Sequence, residues 1–192
     1  MKIELDSFRE MSRIVAVYNA ALLKHPVKTK MATQTCFAFL GDSAAQLLFE
    51  RKEFDYHRNV RFMLIGTFIT APMNILWVDK IQPKILPMSK RNINVLAMKR
   101  VALGCLVYAP LIVTTVVGTN MFLSGKVAKE QILPKLAKEQ PRTIVSSWIF
   151  WAPAQFINYR FVPAHWQIFY MQNASMIWTC FLSWLAHKNL DN

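Results

Sequence analysis

Apolar residues run along this chain in long blocks, separated by charged links. Residues 62–78, 101–125, 143–159 and 161–187 contain no Lys, Arg, Asp or Glu, and 31–49 contains only Asp42. A helix needs roughly 20 mainly apolar residues to cross the hydrocarbon core of a bilayer. The blocks at 101–125 and 161–187 reach that length outright, and those at 62–78 and 143–159 stand at its short limit. A long helix in a water-soluble protein keeps a charged outer face, and these blocks have none. The pattern predicts an all-α, polytopic transmembrane helical bundle forming a single membrane domain over 1–192. About four spans are expected, at about 31–49, 62–78, 101–123 and 143–162.

Two further helices flank the spans. Phe8, Met11, Val15, Tyr18 and Leu22 recur at helical spacing within 7–23, with Arg9, Glu10 and Arg13 off that stripe. This predicts an amphipathic helix, lying on the membrane surface or packed on the bundle, and broken by His25-Pro26. Residues 166–186 form an apolar C-terminal helix rich in Trp, Tyr and Phe, suited to a fifth span or to packing at the interface. The links at 50–61, 79–100 and 124–142 are charged, and the last carries Pro134 and Pro141. Ala-Pro pairs recur at 71–72, 109–110 and 152–153, inside the second, third and fourth spans. Proline in a membrane helix frees a carbonyl and kinks the rod. Three such helices can splay and leave space between them.

The polar residues within the spans fall into stripes. Thr35, Ala38, Asp42, Ala45 and Gln46 share one face of the first span, and Gly66, Thr70 and Asn74 one face of the second. Gly104, Tyr108, Thr115 and Thr119 follow in the third, and Ser147, Trp151, Gln155 and Asn158 in the fourth. The C-terminal helix repeats the pattern with Gln172, Ser175, Thr179 and Ser183. Lipid offers such groups no hydrogen-bond partner, so the stripes face inward. There they either bond across helices in a closed bundle or line a watery path. Asp42 sharpens the choice, because a carboxylate inside a span costs about 2.5–3.5 kcal/mol on insertion scales. It is either a pore-lining or gating acid, or half of a structural salt bridge, with Arg160 as a candidate partner.

Hydrophobic residues make up 54% of the chain and charged ones 18%, against about 25% charged in an average soluble domain. The net charge of +12 sits in the links and not on one basic helix. That placement fits anionic lipid headgroups and gives no reason to expect nucleic acid. Residues 1–30 and 79–100 together carry twelve basic residues, against nine in 50–61 and 124–142. The positive-inside rule therefore puts the N-terminus and the second link on the cytosolic or matrix side. Cys36, Cys105 and Cys180 are far apart, and the four histidines are scattered, so neither a disulfide framework nor a metal site is predicted. No Gly-rich phosphate loop, GxSxG or HExxH occurs. No enzymatic activity, catalytic residue or cofactor is expected. The N-terminus has no secretory apolar core, and Glu4, Asp6 and Glu10 interrupt its basic residues. Targeting is therefore expected to be internal.

Residues 148–163 read Trp-Ile-Phe-Trp-Ala-Pro-Ala-Gln-Phe-Ile-Asn-Tyr-Arg-Phe-Val-Pro, and Trp178 and Leu182-Ser183 follow. Tyr18, His25-Pro26, Thr29, Gly41-Asp42, Gln46, Asp55, Arg58 and Gly66 precede them. This combination resembles the Mpv-seventeen and 22-kDa peroxisomal membrane protein family over nearly the whole chain. Departures include an Ala inserted between Trp151 and Pro153, Ser147 for the usual Asn, Val78 after Trp77, Gly104-Cys105 in place of Asp-Gln, and Gln167 for Arg. The resemblance implies a small four-span protein of the mitochondrial inner membrane, with the peroxisomal membrane as the alternative. It implies a channel or channel-like protein passing small solutes and supporting organelle homeostasis. In mitochondria the family is linked to nucleotide supply and mitochondrial DNA maintenance. The family positions carried onto this chain are Asp42, Gln46, Trp148, Trp151, Pro153, Gln155, Asn158 and Pro163, beside the stripe residues Thr70 and Asn74. The expected partners are the lipid bilayer and small metabolites or ions, with a homo-oligomer as a further option. The competing reading is a non-conducting membrane scaffold or assembly factor.

Overall fold

The computed structural model describes residues 13, 15–50, 53–87, 92–125, 129–163 and 166–188. Side chains at 49, 50, 129, 135, 136, 139, 140, 142, 143 and 181–188 are left aside. Residues 7–12 and 14 of the expected amphipathic helix, and the Leu182-Ser183 side chains, fall outside this set. Every regular element among the described residues is helical. Helix α1 covers Val15–Lys24. Helix α2 runs over Pro26–Ala44 and continues as a π-helical turn, Ala45–Glu50. Helix α3 is Tyr56–Ile85 and α4 is Ile93–Ser124. Helices α5 and α6 are Lys129–Phe161 and Gln167–Lys188.

Local chemistry accounts for the ends. His25 leaves helical geometry and Pro26 opens α2 at its first turn, where a missing N–H costs nothing. Asp55, in extended conformation, caps α3 by accepting from the Arg58 N–H at 2.8 Å. Asn92 caps α4 through the Val95 N–H. Gly125 ends α4 with φ 62°, the left-handed geometry that suits glycine. Helices α2 to α5 are longer than the apolar blocks they contain. The second expected span, 62–78, starts six residues earlier, at Tyr56. The link at 124–142 is helical from Lys129 onward, and Pro134 and Pro141 lie within α5 without ending it.

Two stretches of sequence share a unit, Gly66-Thr-Phe-Ile-Thr-Ala-Pro72 and Gly104-Cys-Leu-Val-Tyr-Ala-Pro110. In both, the five residues from the glycine form a π-helical turn ending directly before Ala-Pro. A third π turn, Leu76–Ile81, precedes Gln82-Pro83. Proline cannot donate to the carbonyl four residues back, and its ring crowds that carbonyl. Widening the preceding turn relieves the clash. Pro153 differs, because α5 stays α-helical on both sides of it.

Helix packing follows a cycle. Helix α2 lies against α3, α3 against α4, α4 against α5, α5 against α6, and α6 closes on α2. Helix α1 docks outside through Tyr18, whose ring meets Trp166 and Phe169 of the α6 end and whose hydroxyl bonds to Thr33 at 3.1 Å.

Polarity is inverted relative to a water-soluble protein. Among the described residues, buried polar or charged side chains are as numerous as buried apolar ones. Gln82 and Asn158 are 1% exposed, whereas Phe68 and Leu106 are 67% and 65% exposed. Helices α3 and α4 are long and apolar enough to cross a membrane, with only 22% and 17% of their most apolar windows buried in the molecule. A core helix of a soluble protein would be mostly buried. These two present their apolar surface outward, as contact with lipid requires.

Candidate functional site

The turn between α2 and α3 gathers the first group of polar residues. Asp42, 3% exposed, ends the regular part of α2. One of its oxygens, Oδ2, accepts from Gln46 Nε2 at 2.8 Å and from Asn59 Nδ2 at 3.3 Å. The other, Oδ1, pairs with Arg58 Nε at 2.9 Å. Gln46 in turn bonds both backbone groups of Asp55, accepting its N–H at 2.6 Å and donating to its carbonyl at 3.2 Å. Asn59 also reaches the Phe39 carbonyl and the Ser43 hydroxyl. A carboxylate so placed satisfies its charge within protein. The salt-bridge partner expected for Asp42, Arg160, is corrected to Arg58. Arg160 Nε instead donates to Asn94 Oδ1 at 2.6 Å. A partner sixteen residues away and facing Asp42 across a hairpin is reached before one on α5.

Higher on the same hairpin, Thr35 and Thr67 share a 2.6 Å hydrogen bond. Gly66 lets α3 approach α2 so closely that an added Cβ would lie 3.0 Å from that of Ala38. At the far end, Lys30 of α2 binds Asp79 of α3 at 2.5 Å. Helix α6 joins α2 through the buried pair Gln172 and Gln34.

The other groups lie along α3, α4 and α5. Tyr108 donates to Asn74 Oδ1 at 2.6 Å and stacks on Trp77, with ring centroids 4.8 Å apart. Trp148 donates from its indole to the Cys105 carbonyl at 3.1 Å. The Gln155 amide sits over Gly104, where an added Cβ would lie 2.6 Å from Oε1. Among the described residues the buried oxygens of Gln155 and Asn158 find no hydrogen-bond partner. Gln82 of α3 spans to α5, donating to the Tyr159 hydroxyl at 3.1 Å and to the Arg100 carbonyl at 3.4 Å.

The sequence candidates therefore divide. Asp42 and Gln46 form the hairpin clasp. Asn74, Trp148, Gln155 and Asn158 belong to the polar seam of α3, α4 and α5, and Thr70 is half-buried on the turn between Gly66 and Asn74. Trp151 packs outside this seam, edge-on to Phe150 and beside Trp178 of α6. Pro153 is exposed on α5, and Pro163 is exposed where α5 stops. Reading for stripes missed Asn59, Lys30 with Asp79, Gln82, Arg100 and Gln34, the partner of the stripe residue Gln172. Most lie in or beside charged links. The one available signal was Asp55, a helix-capping residue set before an apolar run. Among the described residues no group of three His, Cys, Asp or Glu gathers to hold a metal.

Comparison with known proteins adds the kinship. A family model described as the Mpv17 / PMP22 family matches residues 121–183, which include the 148–163 signature. The chain is 28% identical over 174 residues to the mitochondrial inner membrane protein Mpv17 of Danio rerio, covering 89% of this chain and 96% of that protein. It is 29% identical over 171 residues to the protein sym-1 of Neurospora crassa, covering 88% and 96%. It is 27% identical over 174 residues to the Mpv17 of Homo sapiens, covering 89% and 96%. No solved structure matches. The animal relatives carry the name mitochondrial inner membrane protein. The signature on α5 lies within the segment that the Mpv17 / PMP22 family model matches, and the similarity to the Mpv17 and sym-1 proteins extends through the clasp over nearly their full length.

Proposed function

We propose that this protein is a channel-like element of the mitochondrial inner membrane that passes small solutes along the axis of its helical ring. The carrying observation is the cycle α2–α3–α4–α5–α6, apolar outside and polar within. Helices α2 to α5 supply the four expected crossings, and α6 completes the ring. Five helices about 9 Å apart put each axis about 7.5 Å from the centre. A helix with its side chains takes up about 5 Å of that. The remaining radius of about 2–3 Å holds only side chains. On this reading the ring is closed at rest, and passage requires the amides and hydroxyls inside to part. Asn74, Gln155 and Asn158 offer polar groups to a solute on the way.

Purified full-length protein in planar bilayers tests this reading. Discrete conductance above background is expected, and Asn158→Leu reduces it at least several-fold. Absence of conductance from folded protein refutes the reading. A second reading, a non-conducting scaffold, is favoured by Asp42, whose charge is met by Arg58 and whose Oδ2 is hydrogen-bonded within the hairpin. That reading expects a stoichiometric partner on crosslinking and no conductance.

A further inference from the structure

Arg100 occupies the first part of α4 and is 7% exposed. Its Nη2 donates to the Leu86 carbonyl at 3.0 Å, beyond the end of α3. Its guanidinium carbon stands 5.9 Å from the centre of the Tyr159 ring on α5. Its Nε is buried and has no acceptor. Among the described residues no carboxylate pairs with it, and Asp79, the acid on this part of α3, is taken by Lys30. Tyr159 presents a second donor. Its oxygen accepts from Gln82, which leaves the hydroxyl proton free to donate. Gln82, 1% exposed, fixes this geometry by bonding both the tyrosine and the Arg100 carbonyl.

A guanidinium this deep needs an opposing charge. One carbonyl and one ring face offset part of the cost. The surroundings add positive charge: Arg160 lies next to Tyr159, and Lys80, Lys84 and Lys99 are exposed on the same stretch of α3 and α4. A group with several charged oxygens matches this setting better than a single carboxylate, and Arg is well suited to it. We infer that the unpartnered Arg100 Nε and the Tyr159 hydroxyl form a binding site for a phosphate-type oxyanion. Two sources share this chemistry, the phosphodiester of an anionic lipid headgroup and a free phosphate in solution. The inference stands apart from conduction, because the site would hold its anion in a closed bundle too.

The full-length protein in nanodiscs of phosphatidylcholine provides the test, with its thermal midpoint read by tryptophan fluorescence. One arm titrates inorganic phosphate against sodium chloride of equal ionic strength. The other replaces part of the lipid with phosphatidylglycerol. A saturable rise in midpoint is expected in at least one arm; the phosphate arm identifies a soluble ligand and the lipid arm a headgroup. Arg100→Gln abolishes the rise. Tyr159→Phe weakens the apparent Kd by about tenfold, the usual worth of a hydrogen bond to a charged group. No saturable rise in either arm means that Nε is met by buried water, and the proposal is overturned. A rise kept in full by Arg100→Gln overturns it as well. Should Arg100→Gln fail to fold, Tyr159→Phe decides: an unchanged Kd refutes the site, a weakened one supports it.

Discussion

The clasp at the α2–α3 turn lends itself to a double-mutant cycle. Asp42→Asn keeps the volume and one acceptor oxygen for Gln46 and Asn59, but removes the charge facing Arg58. Arg58→Gln leaves the carboxylate buried with its two amide donors alone. Breaking a fully buried ion pair costs about 3–5 kcal/mol, and an exposed pair is worth under about 1 kcal/mol. Asp42 is at the buried extreme, with 3% of its side chain exposed, but Arg58 is 26% exposed. Solvent therefore screens part of the attraction and lets a freed Arg58 swing out. An intermediate coupling of about 2 kcal/mol follows, a factor of about 30 in the unfolding constant. Each single variant should lose about 2–3 kcal/mol, a large part of the roughly 5–15 kcal/mol of a folded domain. The double variant should lose about as much as either single one. Equilibrium unfolding in detergent measures all four proteins. Additive losses, with coupling below about 0.5 kcal/mol, would refute the pairing. So would unfolding of Asp42→Asn at wild-type stability with altered ion selectivity in bilayers, which would make the carboxylate a conduction residue.

The two glycine–π–proline units give matching predictions. Gly66→Ala presses a methyl against Ala38 at 3.0 Å and should destabilise by about 1–3 kcal/mol in the same unfolding assay, with Ala38→Gly restoring most of the loss. Gly104→Ala meets the Gln155 oxygen at 2.6 Å. It should cost about 1–2 kcal/mol in the wild-type background and much less beside Gln155→Ala, and equal costs in both backgrounds would contradict the contact. Tyr108→Phe removes the 2.6 Å bond to Asn74 and should lower stability by about 1–2 kcal/mol, while a neutral result would show that Asn74 finds another donor.

The apolar blocks made the helical character legible, but not the helix lengths. Charge does not bound the helices here, because charged residues continue inside them. Arg58 reaches back to Asp42, Arg61 bonds Asn120 on α4 at 2.8 Å, and Arg100 turns inward. Each finds a protein partner or keeps its head near an edge, so none ends its helix. Inward-facing stripes were legible because hydrocarbon forbids the alternative, and Thr35, Gly66, Asn74, Gly104 and Gln155 do meet neighbouring helices. Their partners were not legible. Tyr108 and Asn74 stand 34 positions apart, and Gln172 and Gln34 stand 138 apart. Such pairs depend on the order of helices around the ring, which no local pattern encodes. The proline repeat was visible, yet its backbone expression was not. Two copies follow a glycine at a fixed distance and carry π turns, and the third has neither feature.

Helix α5 is 33 residues long, about 50 Å at 1.5 Å per residue, whereas the hydrocarbon core of a bilayer is about 30 Å thick. The surplus of about 20 Å equals the rise of its first fourteen residues, 129–142, which carry all of its lysines and glutamates. With the apolar half of α5 in a bilayer, this segment would project beyond the lipid tails, continuous with the signature-bearing half. Force or a partner acting on this segment would reach Trp148, Gln155 and Asn158 through Pro141, where a missing backbone hydrogen bond makes the rod easiest to bend.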